Sequence, residues 1–185
     1  MSRFKKESSL VKWYALRDLK RPNAKQPAYK QLGEVHKMKI FTPMKEKIVT
    51  RKGKRERTEV PFIPDLLFVR DTLDNIDPIV EKTETLQYRY RTGGEHYEPI
   101  VVPDKDMERF IFAVSQSESP KYYLPEEITP QMYGRRIRIV GGNLDGYEEN
   151  LLTMRGSKVK RLLVELKGLL AVGVEVSPEY IQLVE

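Results

Sequence analysis

Apolar residues are laid along this chain in three rhythms, each predicting a different element. Met107, Phe110, Ile111 and Val114 fall at i, i+3, i+4 and i+7 behind Asp104, the spacing of one helix face after a capping carboxylate, so a helix is expected there. Leu162-Val164-Leu166 and Leu170-Val172-Val174-Val176 alternate strictly, as strands do. Leu66-Leu67-Phe68-Val69 is apolar at every position. That run predicts a strand with Leu66 and Phe68 on one face and Leu67 and Val69 on the other, both needing cover. Helices of the same domain can supply one cover; the other comes from the domain itself or from a partner. Pro61 and Pro64 remove backbone donors and fix φ, so the chain enters this strand from a rigid bend.

Weaker patterns fill in the order. Residues 12–17, around Trp13-Tyr14-Ala15-Leu16, read as a first strand, followed by a proline-framed loop carrying Lys20, Arg21 and Lys25. Ala28, Leu32 and Val35 predict an amphipathic helix over 27–39, weakened by Gly33. Residues 40–44 and 48–50 read as strand pieces leading into RKGKRER, where Gly53 marks a hairpin tip. Asp77-Pro78 predicts the start of a short second helix with Ile79, Val80 and Leu86. Residues 88–91 and 97–102 resemble a hairpin turning at Gly93-Gly94. Residues 115–130 are rich in Ser, Pro and Glu and carry no period, which reads as a linker. The expectation is an α+β domain over 10–117, mostly antiparallel sheet flanked by helices, a linker over 118–131, and a small all-β barrel over 132–185.

Composition narrows the chemistry. Lys and Arg number 33 against 27 Asp and Glu, an excess of +6 that favours polyanionic partners. Seven of those cations and only two carboxylates lie between Lys45 and Arg57, so the hairpin is expected to protrude and to be basic. Cations of this kind are commonly just solvated. Cysteine is absent, which excludes disulfides, thiolate metal sites and cysteine nucleophiles. His36 and His96 are the only histidines; there is no GxSxG, HExxH or P-loop, and Thr92-Gly93-Gly94 is too short to cradle a phosphate. No enzyme, cofactor or metal is therefore expected. The first residues carry charges where a signal peptide needs an apolar core, and no run approaches the roughly 18 apolar residues of a membrane span, so a cytoplasmic protein is expected.

Several pieces carry a family likeness in their order and spacing. They are Trp13-Tyr14, Pro43-Met44, Gly53-Lys54, the PFIPDLLFV run, Val102-Pro103-Asp104 with Met107, then RRIRIVGGNLDGYEEN with Gly146 at the centre of a KOW motif, and a closing Tyr180-Ile181-Gln182-Leu183-Val184-Glu185. In these the chain resembles the NusG family of bacterial transcription elongation factors, most closely antitermination paralogues of the RfaH and UpxY kind. Leu66 stands where the family usually has an aromatic residue, Asp65 where it has Gly or Asn, and Glu149 where KOW motifs repeat glycine. The resemblance implies a monomer with an NGN-like domain whose sheet face grips the clamp helices of RNA polymerase. It also implies a KOW barrel, SH3-like in form, that engages a ribosomal protein or termination factor. Trp13, Ala15, Ile63, Leu66 and Phe68 are the expected gripping face. Arg17, Lys20, Arg21, Arg51, Lys52, Lys54 and Arg55 are the expected rim toward nontemplate DNA or nascent RNA. A rival reading makes the KOW half the working part of a ribosome-associated, rRNA-binding protein.

Val159, Leu162, Leu163, Leu166, Leu169 and Leu170 also fit a helical stripe. RfaH-like relatives use such a segment as a helical cover for the polymerase-binding face. Gly168, Gly173 and the valines of 170–176 oppose a helix here, so a permanent barrel with an exposed N-terminal face is the expectation.

Overall fold

The computed structural model describes residues 8–20, 24–91 and 98–184, the side chain of Arg51 excepted. Two compact units are present, Met1–Asp104 and Lys105–Glu185. Among the described residues no helix is long and apolar enough to cross a membrane.

The first unit is built on β1 (Lys12–Asp18). It pairs antiparallel along one edge with β5 (Leu67–Asp71), in register Trp13↔Arg70, Ala15↔Phe68 and Leu16↔Leu67. Its other edge is shared by β6 (Leu86–Tyr88) and β7 (Val101–Val102), and β2 (Lys39–Phe41) extends the sheet beyond β5. This register sorts side chains by face. Tyr14, Leu16, Leu67 and Val69 are buried with Ala28 and Leu32 of the first helix and Ile76 of the second, together with Leu86 and Tyr88. Each large apolar side chain so buried contributes about 1.5–3 kcal/mol. Trp13, Ala15 and Phe68 fall on the opposite face, where Phe41 lies 6.3 Å from the Phe68 ring and Lys39 Nζ sits 5.6 Å from the Trp13 ring centre.

Both helices depart from expectation for local reasons. Helix α1 (Ala28–Lys30) passes directly into a π-helical turn, Gln31–Val35, and ends there rather than at residue 39. Lys37 takes a left-handed φ of 55°, and the Met38 N–H returns to the Leu32 carbonyl at 3.1 Å, the closing bond of a Schellman-type C-cap. The wider turn rotates Val35 off the apolar stripe, leaving it 63% exposed. The start of α1 is tied down by buried Asp18, whose carboxylate accepts from the Ala28 N–H at 2.6 Å and the Lys20 N–H at 3.0 Å. Helix α2 (Leu73–Lys82) begins ahead of the expected Asp77 cap, because the Thr72 hydroxyl already caps the Asn75 N–H. Pro78 therefore lies inside the helix, and Leu86 belongs to β6. The expected turn at Gly93-Gly94 lies outside the described residues, though its flanks meet in a Tyr90↔Pro99 bridge.

Between β2 and β5 the chain makes a separate two-stranded ribbon, β3 (Met44–Arg51) with β4 (Lys54–Pro61). It is anchored where the Phe62 N–H meets the Pro43 carbonyl at 2.8 Å.

The second unit carries α3 (Asp104–Ser115) and a six-stranded antiparallel sheet. Its order is β13 (Ile181–Leu183), β9 (Tyr133–Ile139), β10 (Glu148–Leu152), β11 (Arg161–Leu166), β12 (Leu170–Glu175) and β8 (Lys121–Tyr123). Residues 118–131, read as linker, thus carry β8, which pairs with β12 through Ala171↔Tyr123. Leu162, Leu163 and Val164 are all buried, so β11 is covered on both faces; that is why its residues fit a helical stripe as well as a strand. Strand wins, with β11 and β12 joined by a short turn in which Gly168 takes a φ of 74°. Gly141 and Gly142 let the Tyr180 ring lie on the backbone: a Cβ there would meet ring atoms at 3.1 and 3.0 Å. Tyr147 donates to the Arg109 carbonyl of α3 at 2.9 Å, and Arg109 pairs with Glu149 at 3.0 Å. Burial pushes the Glu149 carboxyl above its usual range, with Arg109 acting against the rise.

Candidate nucleic-acid interface

Arg51 and Lys54 pair across a two-residue turn whose members, Lys52 (φ 49°) and Gly53 (φ 76°), are both left-handed. That is a type I′ turn, whose twist matches a right-handed ribbon, and glycine adopts it at no steric cost. Cross-strand partners share a face, so the register divides the ribbon's charges. Lys45↔Val60, Lys47↔Thr58 and Val49↔Glu56 lie on one face with Lys54; Glu46↔Glu59, Ile48↔Arg57 and Thr50↔Arg55 lie on the other. The first face has three lysines against one carboxylate. The second has two arginines against two carboxylates, with Arg57 3.6 Å from Glu46. Ile48, 63% exposed, shows that the second face is not core, while Val49, Thr58 and Val60 of the first are half-buried.

Pro61, Phe62 and Ile63 form a half-buried apolar bend at the ribbon's base, with Pro64 exposed and Lys45 Nζ 5.1 Å from the Phe62 ring centre. Beyond the bend, Asp65 lies between two guanidiniums, 3.3 Å from Arg17 and 3.1 Å from Arg89. Burial lowers the Arg89 pKa from its ordinary value, and the Asp65 charge opposes that shift.

The expected site residues separate accordingly. Trp13, Ala15, Leu66 and Phe68 are buried, at 2% exposure or less, so the expectation of an exposed gripping face is corrected; Ile63 alone is half-buried. Arg17 is exposed yet ion-paired, and Lys20 donates to the Gln26 carbonyl at 3.1 Å and the Gln31 side chain at 3.2 Å. Lys52, Lys54 and Arg55 are exposed together at the ribbon tip, with Arg55 on the opposite face from Lys54. Arg21 and the Arg51 side chain lie outside the described part. Lys45, Lys47 and Phe62 were not singled out from the sequence; the period-2 register starting from the Gly53 tip is the signal that finds the lysines.

The family model described as "NusG: Transcription termination factor nusG" matches residues 11–111, which span the first sheet, the ribbon and the bend. The chain belongs to the NusG family. Members of the NusG family are regulators of transcription and not enzymes. Among solved structures, the chain is similar to one described as "Domain interaction in Thermotoga maritima NusG", with 13% identity over 96% of this chain and 99% of that chain, at a TM-score of 0.47. No curated protein matches the chain.

Proposed function

We propose that this NusG-family protein is an elongation and antitermination regulator of the specialised RfaH or UpxY kind, binding RNA polymerase through its N-terminal unit. The supporting observation is that the family match, residues 11–111, contains a half-buried apolar bend beside an exposed basic ribbon. An apolar patch ringed by charge is the usual anatomy of a protein interface. Ile63, with Phe62, makes the grip on the polymerase clamp helices, while Trp13, Ala15, Leu66 and Phe68 hold the sheet beneath it. The basic rim of Arg17, Lys20, Arg21, Arg51, Lys52, Lys54 and Arg55 faces nontemplate DNA or nascent RNA. The C-terminal unit, a KOW barrel in this reading, takes a ribosomal protein or termination factor.

The test is a pull-down from native extract with the full chain, probed for polymerase and ribosomal subunits. Polymerase is expected to be captured, and Ile63→Glu, with an unchanged melting curve, is expected to lose it, because the interface would bury an unpaired carboxylate. Capture of ribosomal subunits without polymerase would transfer the function to the C-terminal unit.

A further inference from the structure

Residues 118–132, expected as a loose tether, run along the second unit as a strap. β8 pairs with β12 through Lys121↔Gly173, Tyr122↔Val172 and Tyr123↔Ala171. Two short helical turns follow, Pro125–Glu127 and Pro130–Met132, and the Met132 carbonyl accepts from the Thr153 N–H at 2.8 Å, fastening the far end. What the strap covers is not the main core. The β11–β12 register puts Leu162, Val164, Leu166, Leu170, Val172 and Val174 on one face, all at 3% exposure or less, and Leu163, Ala171 and Gly173 on the other. On that other face Leu152, Leu163 and Ala171 form a small cluster of their own, packed against Tyr123, Ile128, Met132 and Met154. The Tyr123 hydroxyl donates to Met154 Sδ at 3.2 Å.

Gly173 bears independently on this contact. It takes no left-handed φ, so its backbone does not require glycine. Glycine weakens a strand interior and marks a close approach instead. A Cβ at this position would lie 2.8 Å from Leu152 Cδ2, 3.3 Å from Arg161 Cδ and 3.4 Å from the Tyr123 ring, so the missing side chain opens the space in which that ring is seated. The hold of the strap is nevertheless shallow. Tyr123 and Ile128 are only half-buried, β8 meets three of the six residues of β12, and Pro120 and Pro125 withhold the donors that would lengthen the ladder. A short extended segment on a sheet edge, with main-chain pairing for affinity and a seat for an alternate side chain, is the geometry by which folded domains bind peptides through strand addition. We propose that the outer face of β11 and β12, with the edge of β12, is such a peptide-docking groove, and that the chain's own residues 120–128 are its ligand, able to leave without unfolding β9 to β12. The groove lies outside the family match of residues 11–111 and is independent of the polymerase reading.

The experiment uses the full chain with residues 120–128 replaced by glycine and serine at unchanged length, and a fluorescent peptide of residues 118–130 as probe. Covalent attachment presents the strap at an effective concentration on the order of 1 mM, so the free peptide is expected to bind the replaced chain below that concentration. The unaltered chain, its groove filled, should bind the peptide about tenfold more weakly or less. Tyr123→Ala in the peptide should cost about tenfold in affinity by removing the seated ring. Amide exchange reads the same opening without any substitution: in the unaltered chain the amides between β8 and β12 should exchange faster than those between β10 and β11. Loss of amide protection across β9 to β12 in the replaced chain would make the strap part of the fold and overturn the proposal. So would no peptide binding at about 1 mM, equal binding to the unaltered chain, or equally slow exchange at both strand pairs.

Discussion

Asp65 illustrates how far a single residue can redirect a site. Its carboxylate holds Arg17 and the half-buried Arg89 from 48 and 24 positions away in the chain, and no local pattern announces such a pairing. Arg17 could be read from the sequence as a cation, but not as one already balanced. Asp65→Asn is expected to lower stability by about 1 kcal/mol, the modest size reflecting a carboxylate that is partly solvated, and urea unfolding would show it as a lower midpoint. Asp104 offers a second test. The Arg70 side chain, 2.8 Å away, holds the Asp104 pKa below the ordinary carboxylate value. A carboxylate depressed in the folded state adds stability above its unfolded pKa of about 3.9 and loses it as pH falls through the lower folded value. The stability gap between the wild type and Asp104→Asn should therefore be constant from neutral to mildly acidic pH and close below it. A gap that persists in strong acid would assign the effect of Asp104 to something other than charge.

At the scale of elements, the ribbon depends on Gly53. Gly53→Ala places a Cβ at a φ of 76°, at a cost of about 1 kcal/mol, without touching either core. Faster amide exchange along β3 and β4 is expected, with the melting of the rest unchanged. The hairpin was legible because glycine, charge and alternation agreed there. So were β1, β5, β11, β12 and α3, where apolar periodicity was strong. The start of α2 was misplaced because Asp77-Pro78 is a good cap signal and Thr72 a better one, supported by Asp71 accepting from Asn75 at 2.7 Å. The end of α1 was missed because a π-helical turn breaks the 3.6-residue period on which the reading depends. Strand β8 was missed because Lys121–Tyr123 is too short to show alternation and is held by pairing with residues about 50 positions later.

At the scale of the molecule, the sequence indicated the faces of the first sheet, since Trp13, Ala15 and Phe68 do share a side. It could not indicate that this side would be buried, because alternation records which residues are apolar and not what covers them. The consequence is practical. Phe68, fully buried, cannot report on an interface: Phe68→Glu is expected to unfold the first unit, seen as loss of cooperative melting, whereas half-buried Ile63 can be charged without that result.

The ribbon also has a consequence for the protein's exposure to proteases. Two strands with most of their side chains exposed, carrying seven basic residues between Lys45 and Arg57, present trypsin with its preferred bonds on backbone held by ladder hydrogen bonds. Limited digestion should nick the chain within residues 45–57 while β9 to β12 remain whole, as fragment masses would show.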